Sequence, residues 1–142
     1  MVEALFREYV ASLAEDIGFQ NVDDELSRLP GKYARPDGVV LIARDSADAG
    51  GAVAYRKVEP GVCEMKRLYV RPAFRGLGFG RALASDLIED ARAQGYRTML
   101  LDTLASMASA RALYRDLGFV PVAPYYANPL PGVAYMALEL GE

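Results

Sequence analysis

The run Arg75-Gly76-Leu77-Gly78-Phe79-Gly80-Arg81-Ala82 carries the plainest chemical signal in this chain. Three glycines at alternating positions are followed at once by a helical pattern. In that pattern Leu83, Leu87, Ile88 and Ala91 share one face, and Gly95 stands where a C-cap belongs. Glycine lacks a Cβ, so such a loop can turn with its N–H groups bare. The first turn of the helix adds unpaired donors and a positive dipole end. The product is an anion cradle, with phosphate as the expected anion. Glycine spacing alone is also met by an ordinary strand-to-helix turn that needs positive φ.

Two familiar phosphate loops do not fit. No Gly-Lys-Ser/Thr follows, as a Walker A loop requires, and counting from Gly76 the third glycine arrives at Gly80, one position early for G-x-G-x-x-G. Asp102, near the end of the next strand-like run, can mimic the ribose-binding acid of a Rossmann oxidoreductase. Against that reading, the strand before the loop looks like the last member of an antiparallel meander rather than the first strand of a βαβ unit.

A chain of 142 residues suits one domain, 1–142, able to bury roughly 70% of its unfolded surface. A formal charge of −3 with 25% charged residues gives no electrostatic reason to expect nucleic acid or an anionic membrane. No apolar run approaches the ~20 residues needed to span a bilayer. The N-terminal Met1-Val2-Glu3-Ala4-Leu5-Phe6-Arg7 lacks a signal-peptide layout, so a cytoplasmic location is expected. With no histidine there is no Ser-His-Asp or Cys-His apparatus and no imidazole metal site. One cysteine, Cys63, excludes an intramolecular disulfide and a multi-Cys cluster, so no metal is expected. Acid and base work must fall to Glu, Asp, Tyr, Lys, a substrate group or water.

The elements that must position these groups can be read from periodicity. Leu5, Tyr9, Leu13 and Ile17 predict a first helix over 3–17, and Asp23 or Asp24 caps a short second helix through Leu29, stopped by Pro30-Gly31. Strands are predicted at Val39–Ala43, Ala52–Val58 and Val62–Val70, with turns at Asp48–Gly51 and Glu59-Pro60-Gly61. After the glycine loop come a helix to about Gln94, a strand at Thr98–Asp102 and a helix from about Ser106 to Leu117 closed by Gly118. Strands at 119–123 and Val133–Leu140 complete the chain. This order implies an α/β fold with a mixed, mostly antiparallel central sheet and helices on both faces. Within the third strand, Cys63 and Met65 set one apolar phase and Leu68 and Val70 the other. Such an odd step means either that both faces are buried or that a bulge inserts a residue near Lys66-Arg67.

Taken together, Glu64-Met65-Lys66-Arg67-Leu68-Tyr69-Val70-Arg71-Pro72, the glycine loop and Ala110-Arg111-Ala112-Leu113-Tyr114-Arg115-Asp116-Leu117-Gly118-Phe119 closely resemble the GNAT superfamily of N-acetyltransferases. The resemblance is strongest over 62–120 and extends to the remainder by element order. Its core pattern, Arg/Gln-x-x-Gly-x-Gly/Ala, is met by Arg75, Gly78 and Gly80. Tyr114, Gly118 and Phe119 meet its Tyr-x-x-x-Gly-Phe helix end. The resemblance implies the GNAT-like acyl-CoA N-acyltransferase fold, with acetyl-CoA as co-substrate and a primary amine as acceptor. The backbone of Leu68, Tyr69 and Val70 would pair with the pantetheine arm like an added strand. The N–H groups of Gly76, Leu77, Gly78, Phe79, Gly80 and Arg81 would hold the pyrophosphate, with charge added by Arg75 and Arg81. Tyr114 matches the family's general acid, whose phenol points at the coenzyme sulfur; core packing is its competing role.

Direct transfer needs a neutral amine, a polarised thioester carbonyl and a stabilised thiolate. An alkyl ammonium with a pKa near ~10 is mostly protonated at pH 7, so its proton needs a route. Glu64, just before the suspected bulge, is the candidate base. Its competing roles are pairing with Lys66 or Arg67, or orienting the acceptor. N–H groups freed at the bulge can serve as oxyanion donors. Cys63 reads as a packed strand residue, since direct transfer needs no nucleophile. Many family members carry Asn where this chain has Met107, so a coenzyme contact there must be lost or supplied by Ser106, Ser109 or water. In the family, the segment before the last strand walls the acceptor pocket. Here Tyr125, Tyr126 and Asn128 offer ring faces and hydrogen-bond groups to a small-molecule amine or amino acid; the same proline-stiffened segment can also be a rigid loop or a homodimer contact. A non-catalytic acyl-CoA-binding module is the alternative from another class.

Overall fold

In the computed structural model of the chain, which describes residues 2–12, 25, 29–45, 48–104, 107–126 and 130–141, a six-stranded sheet separates two layers of helix. The helices are α1 (Val2–Ser12), α2 (Phe79–Ala93) and α3 (Ala108–Asp116). The strands are β1 (Val39–Asp45), β2 (Asp48–Glu59), β3 (Val62–Val70), β4 (Thr98–Thr103), β5 (Val120–Val122) and β6 (Ala134–Glu139). They lie in the order β1-β2-β3-β4-β6-β5, and every neighbouring pair is antiparallel except β3 and β4. The expected meander thus leads into a parallel step that α2 spans, and the predicted mixed sheet is observed. The second predicted helix and residues 13–17 of the first lie outside the described residues.

Period-two alternation divides the core. Val53 and Tyr55 of β2 face α2, joining Cys63, Met65, Leu83, Leu87 and Ile88. Ala52 and Ala54 of the same strand face α1, joining Leu5, Phe6, Tyr33, Tyr69 and Leu104. Helices α2 and α3 end as their glycines predict. Gly95 has φ +94° and Gly118 φ +102°, conformations that cost glycine little. Beyond them the N–H of Tyr96 donates to the Ala91 carbonyl at 3.1 Å and that of Phe119 to Tyr114 at 3.0 Å, satisfying orphan carbonyls.

The phase step in β3 is a bulge. Ala52 pairs with Tyr69 and Ala54 with Lys66, so Val53 alone faces both Arg67 and Leu68. Arg67 has φ +63°, the one positive φ outside glycine among the described residues. Cys63 and Met65 before the bulge, and Leu68 and Val70 after it, therefore all contribute to the core under α2. Glu64 and Lys66 fall on the α1 face instead.

The turn expected at Asp48–Gly51 is a correction: these residues are the start of β2. Two glycines in a strand mark close approach rather than reversal here. A Cβ on Gly50 would lie 2.4 Å from the Phe79 ring, and one on Gly51 would lie 2.5 Å from the Tyr69 carbonyl oxygen. β2 is thus pressed against the end of β3 that leads into the glycine loop. Gly51→Ala is expected to destabilise the fold by about 1–3 kcal/mol, as overpacking of a closed site does. A urea titration checks this, and an unchanged midpoint would refute the close-approach argument.

Candidate active site

β3 and β4 share a ladder only at Val62–Thr98, Cys63–Met99 and Glu64–Leu100. Beyond Glu64 the strands part, and among the described residues the β4-facing edge of β3 from Met65 to Val70 has no strand partner. That edge is the stretch expected to receive a pantetheine arm, and it runs directly into the glycine loop. Leu68 and Val70 turn their side chains to the core under α2, while Tyr69 packs on the α1 side against Tyr9, ring centroids 6.0 Å apart. Only the backbone of these three residues is left to meet a ligand along the edge.

In the loop, Gly76 (φ +80°) and Gly78 (φ +86°) adopt the left-handed conformation, and a Cβ built on either meets nothing within 4 Å. Gly78 is the N-cap of α2, so Phe79 and Gly80 are already helical. Among the described residues, none of the N–H groups of residues 76–81 donates to a backbone carbonyl; the ladder resumes with Ala82 donating to Gly78 at 3.0 Å. Six bare donors at a helix N-terminus around open space fit a pyrophosphate. Phe79 anchors the loop by stacking on Phe74, centroids 5.5 Å apart, whereas Leu77 is exposed. The two loop arginines have local partners. Arg75 Nε donates to the Val70 carbonyl at 3.1 Å, and Arg81 pairs with Asp116 of α3 at 3.0 Å, both side chains exposed.

Tyr114 projects from α3 into the core, 7% exposed and tilted against Phe119 at 5.8 Å. Burial raises its pKa, and Tyr9 and Asp102 push the same way, so the phenol keeps its proton. Tyr9 sits on α1 and Asp102 on β4, so the phenol lies within electrostatic reach of the far side of the sheet, across the gap between β3 and β4. Among the described residues its hydroxyl has no hydrogen-bond partner. Cys63 is fully buried, and burial pushes its thiol up to about 12, which removes the thiolate a nucleophile would need. Met107 is the N-cap of α3 and accepts a contact from Thr103 Oγ1 through its sulfur at 3.9 Å. Ser109 is exposed, and Ser106 and Asn128 lie outside the described residues.

On the α1 face a polar cluster gathers where the strands part. Glu64 is 1% exposed, and Arg56 holds its Oε1 at 3.0 Å through Nε and 2.9 Å through Nη2. Tyr125 donates its hydroxyl to Oε2 at 2.6 Å, and the Lys66 ammonium stands 3.9 Å from the same oxygen. Arg67 is not its partner: the guanidinium binds Glu25 at 3.0 and 3.3 Å. Burial works to raise the Glu25 pKa, but Arg67 and Lys32 outweigh it and hold the carboxyl ionised. Tyr126 donates to Asp102 of β4, and Tyr135 donates to the Tyr126 carbonyl at 3.0 Å. The three rings of Tyr125, Tyr126 and Tyr135 pack pairwise with centroids 5.3–5.6 Å apart. Burial, then Glu64, raises the Tyr125 pKa and keeps it a donor.

Four residues of this cluster, Arg56, Lys66, Asp102 and Tyr135, were not among the expected site residues. Arg56 lies across the β2–β3 hairpin from Glu64, a pairing the sequence does not reveal. A regular ladder around Pro60-Gly61 would instead place Lys57 there; a second irregularity near Val58 moves the register by one. Asp102, weighed as a ribose acid, holds a tyrosine. Among the described residues no three His, Cys, Asp or Glu side chains gather as a metal site would require, and no helix is long and apolar enough to cross a membrane.

Residues 3–119 match the acetyltransferase (GNAT) family model. An uncharacterized N-acetyltransferase of Schizosaccharomyces pombe is 46% identical over 97% of this chain and 86% of its own length. The N-acetylaspartate synthetase of Xenopus tropicalis is 34% identical over 63% of this chain and 33% of its own length. Among solved structures, a Salmonella typhimurium protein with its cofactor acetyl-CoA superimposes with a TM-score of 0.77 at 22% identity, covering 99% of this chain and 87% of that one. The parted strands, the bare-donor loop and these matches agree: the chain belongs to the GNAT family of N-acetyltransferases.

Proposed function

We propose that the chain moves the acetyl group of acetyl-CoA directly onto a primary amine of a small molecule or amino acid, with both substrates bound together. The observation that carries this reading is the unpaired edge Met65–Val70 running into six bare N–H donors. Such an edge takes an extended amide-bearing arm as an added strand, and the donors take its diphosphate. The thioester then lies in the gap between β3 and β4, with the acceptor arriving from the α1 face. A match named N-acetylaspartate synthetase supports an amino acid among the acceptors.

The neutral amine attacks the thioester carbonyl, the C–N bond forms, and the C–S bond breaks as the tetrahedral centre collapses. Tyr114 gives its proton to the departing sulfur. The amine's proton leaves to Glu64, directly or through water, and on to solvent. Because Arg56 occupies Oε1 and Tyr125 one side of Oε2, the remaining lone pair of Oε2 is the one free to accept it. The bulge N–H groups polarise the carbonyl.

Three substitutions test separate parts. Gly78→Val adds a branched side chain at a positive φ, in the open space assigned to the diphosphate. Calorimetry on the folded variant should show acetyl-CoA affinity reduced at least tenfold, and wild-type affinity would remove the loop from the coenzyme site. Tyr114→Phe keeps the ring and its packing but loses the proton. A positioned acid is worth ~10²–10⁴-fold, and a thiolate is a fair leaving group unaided. Turnover by thiol release should therefore fall at least tenfold with a near-unchanged melting temperature; full activity would return Tyr114 to packing alone. Glu64→Gln should lower turnover at neutral pH and spare acetyl-CoA affinity. The defect should shrink as pH rises toward the amine's own pKa, because the free base then forms without help. A loss equal at all pH would assign Glu64 to holding Tyr125 in place.

A further inference from the structure

Among the described residues of the acceptor face, three cations hold a carboxylate at about 3 Å and Lys66 does not. Arg56 holds Glu64, and Arg67 and Lys32 share Glu25 at 3.0 Å each. Lys66 has no carboxylate of its own. The side chain is only 11% exposed, and its nearest carboxylate oxygen, 3.9 Å away, already accepts the Tyr125 hydroxyl at 2.6 Å. Among the described residues the ammonium donates no hydrogen bond, although it carries three donors. An almost buried ammonium in that state is costly to the fold. Nor is it needed to neutralise Glu64, which Arg56 already does at 2.9 Å.

The position of Lys66 gives this cost a use. It directly precedes the bulge, on the same face as Glu64, and the Asp102 carboxylate acts on it from β4 across the gap. Positive and negative heads thus lie together, the Lys66 ammonium 3.9 Å from the Glu64 oxygen that Tyr125 holds, with Asp102 acting on it electrostatically. An amino acid carries the complementary pair, an ammonium next to a carboxylate. A plain amine would engage the carboxylates and leave Lys66 unmatched. We infer that Lys66 is the specificity residue that binds the carboxylate of the acceptor, so that this enzyme acetylates amino acids in preference to amines without a neighbouring carboxylate. The inference rests on the acetyltransferase reading and narrows its substrate class.

The test pairs α-amino acids with their own carboxamides, which differ in charge but hardly in shape. The amine of the carboxamide is the less basic of each pair, so the supply of free amine favours the amide and any preference for the acid must come from binding. The wild-type enzyme should show a kcat/KM at least tenfold higher for its best amino acid than for that acid's amide. In Lys66→Met the ratio should fall toward one through KM, and Lys66→Arg should restore much of it. Calorimetry with acetyl-CoA on each variant separates failures of the inference from failures of the reading. A wild type that binds acetyl-CoA but turns over amides as well as acids, or acetylates no amino acid in the panel, overturns the inference alone. So does a Lys66→Met variant that binds acetyl-CoA and keeps its preference for the acid. A wild type that binds no acetyl-CoA overturns both.

Discussion

Where Arg67 and Leu68 of β3 together face the single residue Val53 of β2, the strand has to bend, and the site exists because of that bend. A regular β3 would keep Cys63, Met65, Arg67 and Tyr69 on one face and bury a guanidinium among the aliphatic side chains under α2. The extra residue reverses the phase, so that Leu68 and Val70 take the core positions while Glu64 and Lys66 stay on the acceptor side. A non-glycine residue in the left-handed region costs roughly 1–2 kcal/mol. The Arg67 side chain is held from the other end by two hydrogen bonds to Glu25, both groups well buried. Strain at this position is thus coupled to an ion pair that a regular strand could not form.

The bend also divides the work between two kinds of surface. The side proposed for the acetyl donor is main chain: an unpaired strand edge and a run of N–H groups whose direction is set by two left-handed glycines. The side proposed for the acceptor is side chain, and its two banks are joined. Adjacent tyrosines, Tyr125 and Tyr126, donate to Glu64 on β3 and to Asp102 on β4. One short loop thereby ties together the two strands where their ladder ends, and Tyr135 from β6 supports both rings edge-on.

How much of this was readable depended on how local the cause was. The glycine loop, the Gly95 and Gly118 caps and the phase step at Lys66-Arg67 are written in runs of a few residues, and each appears where periodicity placed it. The step could not by itself choose between a bulge and a doubly buried strand, because both leave the same apolar pattern; the pairing with β2 decides it. Asp48–Gly51 was misread for a related reason. Two glycines look like a reversal until the Phe79 ring and the Tyr69 carbonyl that fill their missing side chains are known. Arg56 was hidden by one unpaired residue near Val58, and Lys66 stood in view as a counter-ion of Glu64 until Arg56 took that role. The contacts of Tyr125 and Tyr126 join positions 61 and 24 residues apart, beyond any periodicity.

Six N–H groups in a row without a backbone acceptor among the described residues also bear on how such an enzyme can diverge. Every residue except proline carries the same backbone donor, so the donor seat is insensitive to most side-chain changes provided Gly76 and Gly78 keep their turn. The proposed acceptor side has no such buffer: replacing one tyrosine, lysine or carboxylate changes the shape and charge of that face. On the proposed division, mutations reach acceptor choice long before they reach the acetyl donor. A lineage built on this plan can try new amines one side chain at a time while its supply of activated acetyl groups stays intact.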